Sequence, residues 1–254
     1  WFVGTESLDL KPGGLWANSL SVDLYTWDSG TDSGPDFTSP NQDTNPQQPI
    51  ALQTTGPFFG TVPLATLTFE RVQAPEETCN GDGGDQLGCT ACPCANEAPV
   101  GTIGGCLNGA GSSAMLRGLG IASVSSDSLR FELAGGPAGA LCVLTAGDAP
   151  APTNAANPCF GLGSGTQSTS FDGLRCAVGN TRRHGGRATD GAGRVGVTNA
   201  GWGPPDAPTA GLIAQGGYVA GQTRYFQVVY RDDPALACMR GLNTTQAIVA
   251  TFAP

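Results

Sequence analysis

Apolar and polar residues alternate with a period of two along most of this chain, as in β-strands with one buried face. Segments 20–27 and 62–72 alternate in this way, the second after a proline near its start. The pattern predicts further strands at 113–119, 128–133, 140–145, 194–198, 223–230 and 246–252. Turns rich in glycine and proline separate them, and no long segment has helical periodicity. We predict an all-β fold: an antiparallel, jelly-roll-like β-sandwich with long ordered loops.

The chain changes character near Pro75, because residues before it include no cysteine and residues after it include all nine. We predict an acidic N-terminal β segment, 1–75, followed by a cysteine-containing secreted β domain, 76–254. A strand near 8–10 or 20–27 is a candidate for exchange with a neighbouring molecule. Segment 27–60 is a long polar loop, a length that is uncommon in compact domains unless the loop is functional or disordered.

Charge is unevenly distributed along the chain. The net charge is −9, which argues against a nucleic-acid partner. Residues 1–106 carry a net −11 and residues 107–254 a net +2. These values fit either two solvated surfaces of different acidity or a polar subunit whose acidic end meets a neighbour's arginines. The candidate assembly residues for the second case are Asp28, Asp32, Asp36, Arg182, Arg183 and Arg187.

The location of the protein follows from its cysteines and its apolar runs. No segment approaches the roughly 18 apolar residues that cross a bilayer, so we predict no membrane insertion. The chain begins at Trp1 rather than Met, which we interpret as a processed N-terminus that has lost its export signal. A high cysteine density is typical of an oxidising, extracellular environment.

Five of the nine cysteines lie in residues 79–106, here called the cysteine ribbon. The ribbon is glycine-rich and has almost no apolar run, so only cross-links could fix its shape. Zinc or iron–sulfur ligation is the alternative to disulfides, but the C-x2-C-x-C spacing fits no standard pair of knuckles. We predict disulfides, and the odd number leaves one thiol unpaired or bonded to another molecule.

From the ribbon onward the motifs CNGDGGD, CPCAN, GCLNGAG, FDGLRC, AGQTRYFQVVYRDD and GLNTTQAIVATFAP follow one another. In this order they resemble a domain at the C-terminal end of many secreted proteins of planctomycetes and myxobacteria. The resemblance covers residues 79–254. It implies a secreted, disulfide-bonded β domain on the bacterial cell surface, without known enzymatic activity.

The resemblance also implies which cysteines pair. Cys89, Cys142 and Cys159 look like additions to the pattern, and Cys89 is the unpaired candidate. The disulfide candidates are Cys79, Cys92, Cys94, Cys106, Cys142, Cys159, Cys176 and Cys238. The bonds that the resemblance implies are Cys176–Cys238 and Cys94–Cys106. A Cys142–Cys159 bond is expected from the residues themselves, since these two cysteines flank one turn-rich segment.

Two motifs raise the question of cofactors or catalysis. Asn80, Asp82 and Asp85 are weak calcium candidates, since a turn rich in glycine and aspartate needs no ion; no other metal or cofactor is predicted. His184 is the only histidine and lies among arginines, as in an exposed turn or a surface that docks to acidic groups. A Ser-His-Asp hydrolase would need it, but no G-x-S-x-G elbow is present. We predict no catalytic residues.

Aromatic residues offer a different function. Trp16, Trp27 and Trp202 could stack on sugar rings, although core packing is the ordinary role of such residues. Asn243 begins an N-x-T sequon. We predict a secreted, non-enzymatic structural protein that forms a head-to-tail homopolymer, a filament or surface assembly. The alternative is a carbohydrate- or surface-binding adhesion module with glycans as partners.

Overall fold

The computed structural model describes residues 19–31, 39–40, 42–52, 62–70, 75–85, 87–206, 211–233 and 239–254. The chain forms two compact units, Trp1–Arg71 and Val72–Pro254. Nearly all regular structure in the described residues is antiparallel β-sheet, and disulfides link several of its segments. The predicted all-β, disulfide-stapled class is therefore confirmed.

The described part of the first unit contains four strands: β1 (Ser19–Leu24), β2 (Trp27–Asp28), β3 (Ala51–Leu52) and β4 (Ala65–Glu70). β1 pairs with β4, and β2 pairs with β3, both antiparallel. β1 and β4 lie where the alternating pattern predicts strands. Their pairing includes a hydroxyl–hydroxyl hydrogen bond of 2.9 Å between Ser21 and Thr68. The candidate exchange strand at 8–10 lies outside the described residues.

The described part of the second unit contains the remaining strands and one short helix. They are β5 (Glu76–Thr78), β6 (Met115–Leu119), β7 (Arg130–Ala134), β8 (Leu141–Gly147), β9 (Ala149–Pro150), β10 (Thr166–Gln167), β11 (Leu174–Arg175), β12 (Ala177–Val178), β13 (Arg182–Ala188), α1 (Leu212–Gly216), β14 (Thr223–Arg231) and β15 (Leu242–Thr251). The main sheet has five antiparallel strands in the order β13-β8-β14-β15-β5. The β-branched and aromatic residues of β14 and β15 suit these inner positions.

A second layer covers one face of the main sheet. It consists of the β6–β7 hairpin, extended by single β-bridges from Phe131 to Trp202 and from Leu133 to Val195. Phe131 packs on Phe226 of β14 with ring centroids 4.6 Å apart. Each fully buried side chain of this size contributes about 1.5–3 kcal/mol to stability. The prediction of a strand at 194–198 is wrong, because the segment forms a single bridge, from Val195 to Leu133, and no strand.

The cysteine ribbon packs on a smaller core of its own. Four cysteines that form two disulfides share this core with Leu174 and Ala247. A Cβ on Gly105 would lie 1.9 Å from the carbonyl oxygen of Thr244, so glycine lets the ribbon lie directly against β15. The ribbon is therefore tied to the main sheet by backbone contact as well as by disulfides.

Candidate functional site

The arginine-bearing segment 182–188 is β13, an edge strand, rather than the exposed turn that the sequence suggested. It carries Arg182, Arg183 and Arg187, of which the first two are exposed and the third is half-buried. Arg187 donates hydrogen bonds from Nε to the Gly201 carbonyl (2.8 Å) and from Nη1 to the Gly186 carbonyl (3.0 Å). Within the described residues, none of the three has a carboxylate at ion-pair distance. Arg182 and Arg183 are thus exposed guanidinium groups without an ion-pair partner among the described residues.

The backbone of β13 is less accessible than its arginines. Trp202 donates from Nε1 to the Gly185 carbonyl (3.0 Å), and Asn199 donates from Nδ2 to the Ala188 carbonyl (2.7 Å). A β-bulge also interrupts the pairing of β13 with β8. The opposite edge strand, β5, has only three residues. Both edges of the sheet are blunted against strand addition, so recognition at β13 would depend on side chains.

His184 points inward from β13 and is 9% exposed. Its Nε2 lies 2.7 Å from the hydroxyl of Tyr218, and its ring packs near Phe226. Burial, reinforced by the charge of Arg182, lowers the pKa of His184 to about 4. Burial raises the pKa of Tyr218 to about 12. The pair is neutral at pH 7 and holds β13 onto the core, which is a packing role.

Arg224 also lies close to Tyr218. The guanidinium carbon of Arg224 lies 5.2 Å from the centroid of the Tyr218 ring, and the same ring stacks on Phe252 with centroids 5.1 Å apart. The charges of Arg224 and Arg182 both partly oppose the rise in the pKa of Tyr218. Sequence reasoning missed Arg224 and Tyr218, because nothing in the local sequence indicates that they meet β13. The positive surface therefore extends from β13 to the start of β14.

The disulfides correct two predictions about single cysteines. Cys89 is bonded to Cys159, so its assignment as the unpaired cysteine is wrong. The free cysteine among the described residues is Cys142. It lies on β8 with its side chain fully buried, and its thiol donates to the Arg187 carbonyl (3.3 Å). The predicted Cys142–Cys159 bond is wrong, since Cys142 faces the core and Cys159 lies in a surface loop.

The remaining pairings also differ from those that the resemblance implied. Cys92 is bonded to Cys106, and Cys79 is bonded to Cys176. The pairing of β5 with β15 brings Cys79 to the small core where Cys176 lies. The predicted Cys94–Cys106 and Cys176–Cys238 bonds are therefore wrong. Cys94 is disulfide-bonded as well, and Cys238 lies outside the described residues.

The weak calcium candidates hold the turns of the ribbon. Asn80 accepts a hydrogen bond from the amide of Gly104 (3.2 Å), and Asp82 accepts one from the amide of Gly101 (2.8 Å). Asp85 accepts hydrogen bonds from the backbone amides of residues 87, 89 and 90 and from the Thr90 hydroxyl. The described residues contain no cluster of three or more metal-ligating side chains. The geometry gives these carboxylates a structural task that needs no ion.

The aromatic and sequon candidates fall into buried and accessible groups. Trp202 is 1% exposed and belongs to the core, so stacking on a sugar ring is excluded for it. Trp27 is half-buried on β2, beside the exposed Asp28. Asn243 is fully buried on β15, where its side-chain amide donates to a carboxylate and a carbonyl. The sequon is therefore inaccessible in the folded chain.

The other assembly candidates, Asp32 and Asp36, lie outside the described residues, as does Trp16. The structure brings the three arginines together on one strand, whereas Asp28 belongs to the first unit. No helix in the described parts of the chain is both long and apolar enough to span a membrane.

Comparisons with known proteins find similarity over part of the chain. A family model described as Spondin_N matches residues 1–59, less than a quarter of the chain. Spondin-2 of Rattus norvegicus is 54% identical over 50 residues, covering 20% of this chain and 15% of that protein. Spondin-2 of Homo sapiens is 52% identical over the same length. Spondin-1 of Xenopus laevis is 37% identical over 94 residues, covering 32% of this chain and 11% of that protein. No solved structure gives a significant match.

These matches differ from the family resemblance that the sequence motifs suggested. The chain is similar to animal spondins, and the assignment to a planctomycete and myxobacterial domain is wrong. A bacterial cell-surface location was implied by that assignment and loses its support. The chain spans only about 11–15% of the length of these curated relatives.

Proposed function

We propose that this chain, with its spondin-like N-terminal segment, is a secreted, non-enzymatic extracellular protein that binds acidic surfaces through the arginines of β13. The observation that carries the proposal is the exposure of Arg182 and Arg183 without a carboxylate partner among the described residues. Arginine binds carboxylates through two parallel hydrogen bonds, which gives such a surface both affinity and orientation. The disulfides support an extracellular location.

The non-enzymatic part of the proposal is supported by the state of the one histidine. His184 is buried against Tyr218, and its lowered pKa leaves it neutral at physiological pH. Its partner is a phenol with a raised pKa, a poor nucleophile and a poor base. Similarity to spondins in the N-terminal segment is consistent with a structural or adhesive role.

In the finer form of the proposal, the acidic surface belongs to another copy of the chain. The first unit carries Asp28 on an exposed strand end and is part of the strongly acidic half of the sequence. Contact between unlike surfaces of identical molecules is heterologous and extends into a filament unless the rotation closes a ring. Because both edges of the main sheet are blunted, assembly would use charged side chains in preference to strand exchange.

Charge reversal tests this form directly. Sedimentation velocity on the full chain should show salt-sensitive oligomers that Arg182→Glu/Arg183→Glu abolishes, with Asp28→Arg restoring part of the assembly. Arg175→Glu is the matched control, because Arg175 is exposed on β11, which pairs with β10 and not with β13. Oligomers should dissociate at about 0.5 M salt, where exposed charges are screened. Monomers at every salt concentration would overturn self-assembly, and unchanged oligomers in the double variant would overturn the role of β13.

A second candidate function, adhesion to glycans, is favoured by Trp27. Its side chain is half-buried on a two-residue strand, so part of the indole is accessible to solvent, and aromatic rings of this kind can pack on a sugar ring. Glycan-array binding that is lost in Trp27→Ala, and retained in Arg182→Glu/Arg183→Glu, would support this candidate over assembly.

A further inference from the structure

A groove of about 190 Å³ lies on the outer face of the β6–β7 hairpin, the side turned away from the main sheet. We call it the outer groove. Its lining residues are Met115, Arg117, Glu132, Leu133, Ala134, Arg194 and Val197. The volume is well below the roughly 300 Å³ at which pockets accept drug-sized ligands, so a single ring is the fitting size.

Strand alternation places charged groups on this face. Leu116, Phe131 and Leu133 are fully buried toward the main sheet, so their neighbours point outward. Arg117 and Glu132 are direct partners in the β6–β7 register, and their side chains lie side by side on the outer face. The groove therefore has a guanidinium and a carboxylate in fixed proximity.

The charges of the groove do not balance. Two arginines, Arg117 and Arg194, and one carboxylate, Glu132, line it. Arg130 and Glu132 form an ion pair of 3.7 Å, and the charge of Arg194 acts on Asp190. Asp190 also accepts hydrogen bonds from its own turn. Arg117 has no ion-pair partner among the described residues, so the groove carries one unmatched positive charge.

Apolar surface lies beside this charge. Met115 is half-buried and Val197 is 55% exposed, and both line the groove. The combination of a free guanidinium, a carboxylate acceptor and an apolar side matches the three features of a carboxylated sugar. Its carboxylate pairs with arginine, its hydroxyls donate to a carboxylate, and its C–H face packs on apolar groups.

We propose that the outer groove binds one carboxylated pyranose unit, of the uronic-acid type, in an acidic glycan. The sugar carboxylate pairs with Arg117 and Arg194, a ring hydroxyl donates to Glu132, and the ring lies against Met115 and Val197. None of the β13 arginines lines this groove, so the proposed binding does not depend on self-assembly. It gives the glycan-binding candidate a location and a ligand class.

NMR titration of the ¹⁵N-labelled full chain tests this assignment. Methyl β-glucuronide should shift the amide signals of segments 115–117, 132–134 and 194–197, whereas methyl β-glucoside should shift them at least tenfold more weakly. Arg117→Ala and Arg194→Ala should each raise the dissociation constant about tenfold, the expected effect of one charge-assisted pair. Arg175→Ala and Arg182→Glu/Arg183→Glu should bind as the wild type does.

Several outcomes would overturn the proposal. Equal affinity for the neutral glucoside would remove the carboxylate from the recognition, and shifts elsewhere would place the site outside the groove. Sodium acetate with the same affinity as the glucuronide would mean adventitious anion binding only. An N-acetyl-aspartyl peptide that binds more tightly than the glucuronide would identify an acidic peptide as the ligand. Arg117→Lys separates charge from geometry, because a retained charge without the planar fork should recover only part of the affinity.

Discussion

The side-chain amide of Gln246 pairs with the backbone of Leu116 as a neighbouring strand would. The Leu116 amide donates to Oε1 of Gln246 (2.9 Å), and Nε2 of Gln246 donates to the Leu116 carbonyl (2.6 Å). Both residues are fully buried. One glutamine on β15 thereby satisfies the backbone of β6 and connects the two layers of the sandwich.

Replacing Gln246 with alanine should destabilise the fold strongly. A buried amide and a buried carbonyl would lose their partners, at a cost of about 2–5 kcal/mol in the free energy of unfolding. Gln246→Glu is the matched variant, since it keeps the shape but brings an acceptor to the Leu116 carbonyl. Urea unfolding monitored by tryptophan fluorescence measures both. Wild-type stability in Gln246→Glu would contradict the pairing.

Removing individual disulfides should destabilise the protein according to the loop that each one closes. Cys89→Ala/Cys159→Ala opens a bond with a sequence separation of 70, and Cys92→Ala/Cys106→Ala opens one with a separation of 14. Chain entropy predicts losses of about 4.5 and about 3 kcal/mol respectively. Denaturant midpoints compared at equal pH give the order. If removing the bond that closes the longer loop cost less stability, contacts in the native state, and not the entropy of the unfolded chain, would determine the effect.

Cys142 should be unreactive in the native protein and reactive after unfolding. Burial raises the pKa of its thiol to about 11, although Arg187 partly opposes the shift. Only the thiolate is nucleophilic, and the side chain has no access to solvent. Iodoacetamide labelling followed by peptide mapping should find no label on Cys142 in buffer and full labelling in guanidinium chloride. A label on Cys89 under either condition would contradict the assigned pairing.

His184 should make the stability depend on pH between about 4 and 6.5. Burial and Arg182 lower the pKa of His184 to about 4 in the folded state, while the unfolded value is 6.5. As the pH falls, the unfolded chain binds the proton first, so unfolding becomes easier by up to about 3 kcal/mol across this window. Above pH 6.5 His184 is neutral in both states, and its packing contributes fully to the stability.

The histidine-specific part is measured as a difference between the wild type and His184→Gln, which cannot titrate there. Acidic residues contribute equally to both proteins and cancel. Asp85 affects the stability only below this pH window. Burial raises the pKa of its carboxyl, but hydrogen bonds from Thr90, Cys89 and Leu87 outweigh burial and lower the pKa from 3.8 to about 2. If the free energy of unfolding fell equally with pH in both proteins between pH 6.5 and 4, the lowered pKa of His184 in the folded state would be ruled out.

The long strands could be predicted from the sequence because their alternation reflects a single buried face. β14 and β15 extend the predicted segments by only a few residues. β13 could not be predicted in this way, since its residues are arginine, histidine, glycine and one alanine, and only His184 is buried. Its strand conformation depends on pairing with β8, which lies far away in the sequence.

The cysteine pairing was equally out of reach of local arguments. Cys142 and Cys159 flank one turn-rich segment, which made a bond between them look economical. The alternation of side chains along β8 rules this bond out, because it points Cys142 into the core. The arginines were identified from the sequence, but Tyr218 and Arg224 join them only through the packing of three separate elements.

The buried position of Asn243 affects how the protein can be produced. Its sequon can be modified only while the chain is still unfolded, so in a secretory host with N-glycosylation the transferase competes with folding. A glycan attached there would keep β15 from entering the main sheet, and such molecules could not reach the native state. Expression in a host that oxidises disulfides but lacks N-glycosylation, such as a bacterial periplasm, avoids that loss.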